Sequence, residues 1–228
     1  MSSKELNLLK AVFLKGIKTI NKIKKVSVIF VMAIINENFY TSIKSWQSDD
    51  FTMPSPPFIK RAVILRTVIK DSTIIETGTH TGDTTMVLSK VSKNVITIEP
   101  DPLLYSKALR RFQRNNRIKV FNGTSEKIFP ELIPEISGDV SFWLDGHYSG
   151  DGTFLGDVAT PIIFELQTIQ ESLRKMKRVC ILIDDVRLFT DKDHVNQGYP
   201  QLDYLVEWSK LNKFNWYIEH DIFIARNY

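Results

Sequence analysis

Apolar positions recur along this chain with two different periods. Leu6, Leu9, Phe13, Ile17 and Ile20 fall three or four residues apart with Lys10, Lys15, Lys18 and Lys22 among them, which predicts an amphipathic helix. The apolar run at 26–35 is shorter than the ~20 residues that cross a bilayer. Asn36-Glu37-Asn38 follows it instead of a small-residue cleavage site, so the run predicts a buried helix rather than a signal peptide. Beyond residue 70 the pattern changes to short β-branched runs separated by helical stretches. Strands are predicted at 73–76, 95–99, 118–121, 140–144 and 179–183, and helices at 84–91, 102–115 and 161–175. Residues 216–219 and 222–225 read as a final strand pair turning at His220-Asp221. Such alternation predicts an α/β fold built on a mostly parallel sheet.

Pro54, Pro56 and Pro57 interrupt helix and mark the expected boundary between an N-terminal helical segment, 1–58, and a core, 59–228. The N-terminal segment would serve as a lid, an oligomerisation element or a surface-binding element. The net charge of +4 is uneven: residues 1–70 carry twelve Lys/Arg against four Asp/Glu, and the rest carries eighteen against twenty-two. A basic end away from the core argues against nucleic acid as a partner. It fits packing of the first helix on the core or on a second copy in a homo-oligomer, ahead of peripheral membrane contact through residues 1–40. The lone Cys180 lies in an apolar run, which excludes an internal disulfide and fits a buried thiol in a reducing cytoplasm.

The candidate chemistry gathers at predicted strand ends. Glu76 closes the first strand and is followed by Gly78 and Gly82, whose turn would let backbone N–H groups approach a ligand. Glu99, 23 residues later, ends the second strand, where an acid accepts hydrogen bonds from ribose hydroxyls. Asn122-Gly123-Thr124-Ser125 follows the third and offers small polar groups beside an adenine ring. From residue 72 onward the chain resembles class I S-adenosylmethionine-dependent methyltransferases, through the Glu-x-Gly-x-x-x-Gly loop, the second-strand acid and the final strand pair. The resemblance implies a Rossmann-like three-layer sandwich with a seven-stranded, mostly parallel sheet and a C-terminal antiparallel strand. It implies S-adenosylmethionine as cofactor, with Glu76, Gly78 and Gly82 at its amino-acid part and Glu99 at its ribose. Thr79, Thr84, Thr124, Ser125 and Asp145 complete the expected cofactor site, while His80 would merely shape the loop.

Asp145-Gly146-His147 ends the fourth strand and Asp184-Asp185 the fifth. Three carboxylates so close would repel one another unless a cation sat between them, and oxygen ligands suit Mg²⁺ or Mn²⁺. The alternative is that one of the paired aspartates caps the next turn and the other pairs with Arg187. Asp145 or His147 is the expected base. The loop at 148–153 would cover the same edge, and the polar stretch at 191–200 would face a substrate. The arrangement is similar to the metal-dependent macrocin-type sugar O-methyltransferases, which implies magnesium on Asp145, Asp184 and Asp185; His147 stands where that family has a second acid. The expected activity is methylation of a sugar or glycan hydroxyl. The alternatives are a catechol-like small-molecule acceptor and a non-catalytic scaffold in a glycan assembly complex.

Overall fold

Five β-branched runs of the core form adjacent strands in the computed structural model, which describes residues 39–146, 160–196 and 198–228. The predicted helices within 1–38, His147 and the 148–153 loop lie outside the described residues. The chain forms two compact units, Met1–Phe51 and Thr52–Tyr228. In the first, α1 spans Phe39–Ser48, and the rings of Trp46 and Phe51 meet edge to face at 5.1 Å.

The second unit opens with α2, Pro57–Thr67, which starts on a proline where no intrahelical donor is needed. It continues with β1 (Thr73–Thr77), α3 (Asp83–Leu88), β2 (Asn94–Glu99), α4 (Pro102–Phe112), β3 (Ile118–Asn122), α5 (Ser125–Leu132) and β4 (Gly138–Leu144). After residue 160 come α6 (Ile162–Ser172), β5 (Met176–Ile183), α7 (Lys192–Asn196), α8 (Leu202–Leu211), β6 (Asn215–Glu219) and β7 (Ile222–Arg226). The entry to α4 is legible in its chemistry: Asp101 caps the helix by accepting Leu104 N–H at 2.8 Å, and Arg110 and Arg111 sit at its last turn.

The seven strands form one sheet in the order β3-β2-β1-β4-β5-β7-β6. Neighbours from β3 to β5 are parallel, and β7 runs antiparallel to both β5 and β6. His220 and Asp221 make the β6–β7 turn with φ of 47° and 68°, left-handed at both positions as the twist of a tight hairpin requires.

Helices cover both faces. Ile75 belongs to a buried cluster with Phe129 of α5, Leu166 of α6 and Leu205 of α8. Its neighbour Ile74, equally buried, points to the other face by strand alternation. That face also carries Ser141 and Cys180, side by side with Ile74 in register. There Cys180 Sγ contacts Thr67 O at the end of α2, at 3.6 Å. Burial pushes the Cys180 thiol up to about 12, so it stays protonated and inert. Among the described residues no helix is long and apolar enough to cross a membrane.

Candidate cofactor and acceptor site

The parallel strands end almost level. Thr77 lies beside both Ile98 and Leu144, Glu99 beside Asn122, and Leu144 beside Ile183. The residues that follow these ends, Gly78–Gly82, Thr124, Ser125, Asp145, Asp184 and Asp185, therefore share one edge of the sheet with Glu99.

The two glycines of the first loop are demanded by the fold. Gly78 has φ +82°, and a Cβ there would stand 2.3 Å from the carbonyl oxygen of Asp145; at Gly82, φ +79°, it would stand 2.6 Å from the ring of Phe112. The loop amides do not all face outward as the sequence suggested. Gly78 and Thr79 N–H both donate to Ile98 O, at 3.0 and 3.2 Å, and the hydroxyls of Thr79 and Thr97 pair at 2.6 Å. Ile98 lies opposite Thr77, the last residue of β1, and the loop that follows supplies the donors to its carbonyl.

Glu99, 4% exposed, strengthens the same fastening: Oε2 accepts His80 N–H at 2.7 Å and Oε1 accepts Asp101 N–H at 3.0 Å. Burial raises its pKa, while those two donors oppose the rise. Each oxygen keeps a second lone pair for a hydroxyl donor. His80 thus acts on the loop through its backbone, in a left-handed conformation with φ 48°. Thr84 in the first turn of α3 and Thr124 before α5 are half-buried, and Ser125 is buried.

Glu76 is buried beneath the loop. Its Oε2 accepts the Thr85 hydroxyl at 2.5 Å, whereas Oε1 has no hydrogen-bond partner among the described residues. Burial pushes this carboxyl up to about 7, opposed by hydroxyls of Thr85 and Thr97 and assisted by the charge of Glu99. The folded-state value lies above the ordinary 4.5, so the group's stabilising contribution is full below that pH and is lost as pH rises through about 7. Glu76→Gln should flatten the fall in stability across this window by on the order of 2–3 kcal/mol, read from urea midpoints against pH. An unchanged profile would show that Glu76 titrates normally.

On the other half of the edge, Asp145 is half-buried, and its N–H donates to the backbone and hydroxyl oxygens of Thr77, each at 3.2 Å. Asp184 N–H donates to Leu144 O at 3.1 Å, which ties the ends of β4 and β5 together. The expected metal centre is not what forms here. Lys60 of α2 places its Nζ 2.6 Å from Asp184 Oδ1 and 2.6 Å from Asp185 Oδ1. Arg187 Nη1 donates to Asp185 Oδ1 at 2.7 Å and also pairs with the fully buried Asp221. Asp184 Oδ1 accepts Asp185 N–H at 2.8 Å; the Arg187-pairing half of the alternative describes this strand end, whereas the turn at Val186–Phe189 that follows has no side-chain cap. Among the described residues no group of three or more His, Cys, Asp and Glu is arranged to hold a metal ion. The donor oxygens a divalent ion would use are engaged by protein cations, and the residues present do not fit Mg²⁺ or Mn²⁺.

Lys60, Asp221 and Tyr199 are members of this edge that the sequence reading did not single out. Lys60 lies in Pro57-Phe58-Ile59-Lys60-Arg61, with no motif around it. Tyr199 is buried, and its phenol pKa is raised by burial and by the negative charges of Asp185 and Asp145. A tyrosine inside the polar 191–200 stretch was the available signal.

No protein-family profile matches the chain. A Methanosarcina acetivorans protein assigned as ribosomal RNA small subunit methyltransferase A is 31% identical over 108 residues, 47% of this chain and 39% of its own length. The chain thus spans about two fifths of that curated relative. A Staphylococcus aureus structure assigned as a caffeoyl-CoA O-methyltransferase aligns over 97% of this chain and 98% of its own, at 15% identity and a TM-score of 0.50. The chain has the class I methyltransferase fold. A Streptococcus mutans structure assigned as a methyltransferase, in complex with S-adenosylhomocysteine, aligns over 77% of this chain and 98% of its own at 16% identity and a TM-score of 0.48. In open α/β sheets ligands bind beyond the carboxyl ends of the strands; here β7 inserts antiparallel between β5 and β6.

Proposed function

We propose that this chain is an S-adenosylmethionine-dependent O-methyltransferase acting on a hydroxyl of a sugar or glycan. The observation that carries the reading is that β1, β2 and β4 end in register, so that the 78–82 loop, the Glu99 carboxylate and Asp145 converge on one edge. The residues fit the cofactor. Glu76 offers a buried carboxylate oxygen without a partner beneath the loop, which suits the ammonium of an amino-acid moiety. Glu99 retains lone pairs for the two ribose hydroxyls, and Thr124 and Ser125, beyond the end of β3, would flank an adenine.

The cofactor, when bound, supplies a methyl group on a sulfonium. Asp145 or His147 would take the proton of the acceptor hydroxyl as that oxygen accepts the methyl group. Tyr199 lies within electrostatic reach of Asp145 and Asp185, and its ring meets that of Phe189 edge to face at 5.4 Å. No step needs a metal at Asp184 and Asp185.

An RNA acceptor is the second reading, favoured by the stretch of 31% identity to a ribosomal RNA methyltransferase. The charge of the site-bearing portion opposes it, because eighteen basic against twenty-two acidic residues after residue 70 do not attract a polyanion. Calorimetric titration with S-adenosylmethionine and S-adenosylhomocysteine tests the cofactor. Saturable binding is expected, weakened about tenfold or more by Glu99→Gln, which keeps the side-chain volume but removes the charge. Folded wild type that binds neither compound overturns the reading. Turnover on a vicinal sugar diol, a catechol and a structured RNA, compared in one assay, then decides the acceptor.

A further inference from the structure

The Asp184-Asp185 pair lies at the carboxyl end of β5, where two adjacent carboxylates in a site for polar ligands ordinarily call for a cation. The cation present comes from far away in sequence. Lys60 projects from α2, 124 residues before Asp184, and its ammonium bridges one oxygen of each aspartate at 2.6 Å. It lies 3.8 Å from Asp221 Oδ2. The Lys60 side chain is 13% exposed, and those of Asp184 and Asp185 are 10% and 15% exposed. Asp185 Oδ1 is shared with Arg187. Two short charge-assisted hydrogen bonds in a nearly dry site would both break if a divalent ion entered, and the ammonium would be stranded without a partner of equal strength.

We propose that Lys60 is the resident cation of this site, holding Asp184 and Asp185 where a divalent ion would otherwise be needed, so that methyl transfer by this chain is metal-independent. The metal-independence rests on the methyltransferase reading; the occupancy of the aspartate pair by Lys60 does not. Lys60 is a positioning residue: it fixes the strand end beside Asp145 and closes the carboxylates to hard cations. Removing its charge leaves Arg187 on Asp185 and no ammonium between the two aspartates. Their remaining oxygens then suit Mn²⁺.

The test is Mn²⁺ binding by the purified full chain, followed by electron paramagnetic resonance, with Mg²⁺ competition. Wild type is expected to bind no Mn²⁺ at submillimolar concentration. Lys60→Gln is expected to gain a site at least about tenfold tighter, lost again in Lys60→Gln/Asp184→Asn, and Lys60→Arg is expected to exclude the ion as wild type does. Wild type that binds Mn²⁺ through Asp184, as judged by its loss in Asp184→Asn, overturns the proposal, and this arm needs no Lys60 variant to fold. A folded Lys60→Gln that gains no site overturns it as well. Cofactor titration of the same preparations separates the two readings: metal exclusion without S-adenosylmethionine binding sinks only the methyltransferase assignment, and cofactor binding with a wild-type metal site sinks only the role of Lys60.

Discussion

Gly78→Ala is expected to destabilise the core unit by about 3–6 kcal/mol and to abolish cofactor binding in whatever fraction still folds. Two costs add at this position. The backbone sits at φ +82°, where a side chain is strained, and the added carbon would stand 2.3 Å from the carbonyl oxygen of Asp145. That oxygen belongs to the backbone at the end of β4 and is held by the strand pairing of Thr77 with Leu144, so it cannot swing aside as a side chain would. Relief must come from separating the first loop from β4, which dismantles the proposed cofactor site. Thermal unfolding should show the midpoint falling by about 10 °C. A variant that melts within about 2 °C of wild type would mean that the loop and strand end are not in contact.

Asp221→Ala should cost about 3–5 kcal/mol in chemical denaturation. Asp221 is fully buried in the β6–β7 turn. Its Oδ1 accepts Arg187 N–H at 2.9 Å, and Oδ2 pairs with the Arg187 guanidinium. Removing the carboxylate takes the acceptor from Arg187 N–H and leaves the Arg187 guanidinium on Asp185, beside the Lys60 ammonium. Asp221→Asn, which can still accept one of these bonds, should lose roughly half as much. A loss below about 1 kcal/mol for the alanine variant would indicate that water compensates the cluster and that it behaves as a surface network.

The sheet was legible in the sequence because its strands are short β-branched runs whose ends carry unlike residues: Glu76, Glu99 and Asp145 stop apolar stretches abruptly. The proposed cofactor half of the edge rests on those stops and on two glycines that the fold itself demands. The expected role of the glycines was partly misplaced, because the same spacing serves loop-to-strand contact as well as ligand approach. The helix α5 was hidden by Pro130 inside it and by Pro134 just beyond, which locally read as breaks. In α8 the stripe of Leu205 and Trp208 is blurred by Leu211, which is 80% exposed. The lysine beside Asp184 and Asp185 was not legible for a different reason. Acid pairs announce that a countercharge is required, but sequence order carries no information on whether it is an ion or a lysine brought in from a distant helix.

The strand order also sets a sequence of events in folding. Thr73 meets Asn94 on one side across a short connection but Val140 on the other across a much longer one. Closing the longer loop costs more entropy and comes after the local β1–β2–β3 pairing. A nascent chain would therefore own the loop that grips Ile98 and the acid that pins it before it owns Asp145 or the aspartate pair. Docking of β4 against that loop would then complete the proposed cofactor site, and a bound nucleoside would favour the finished sheet over release of its first three strands.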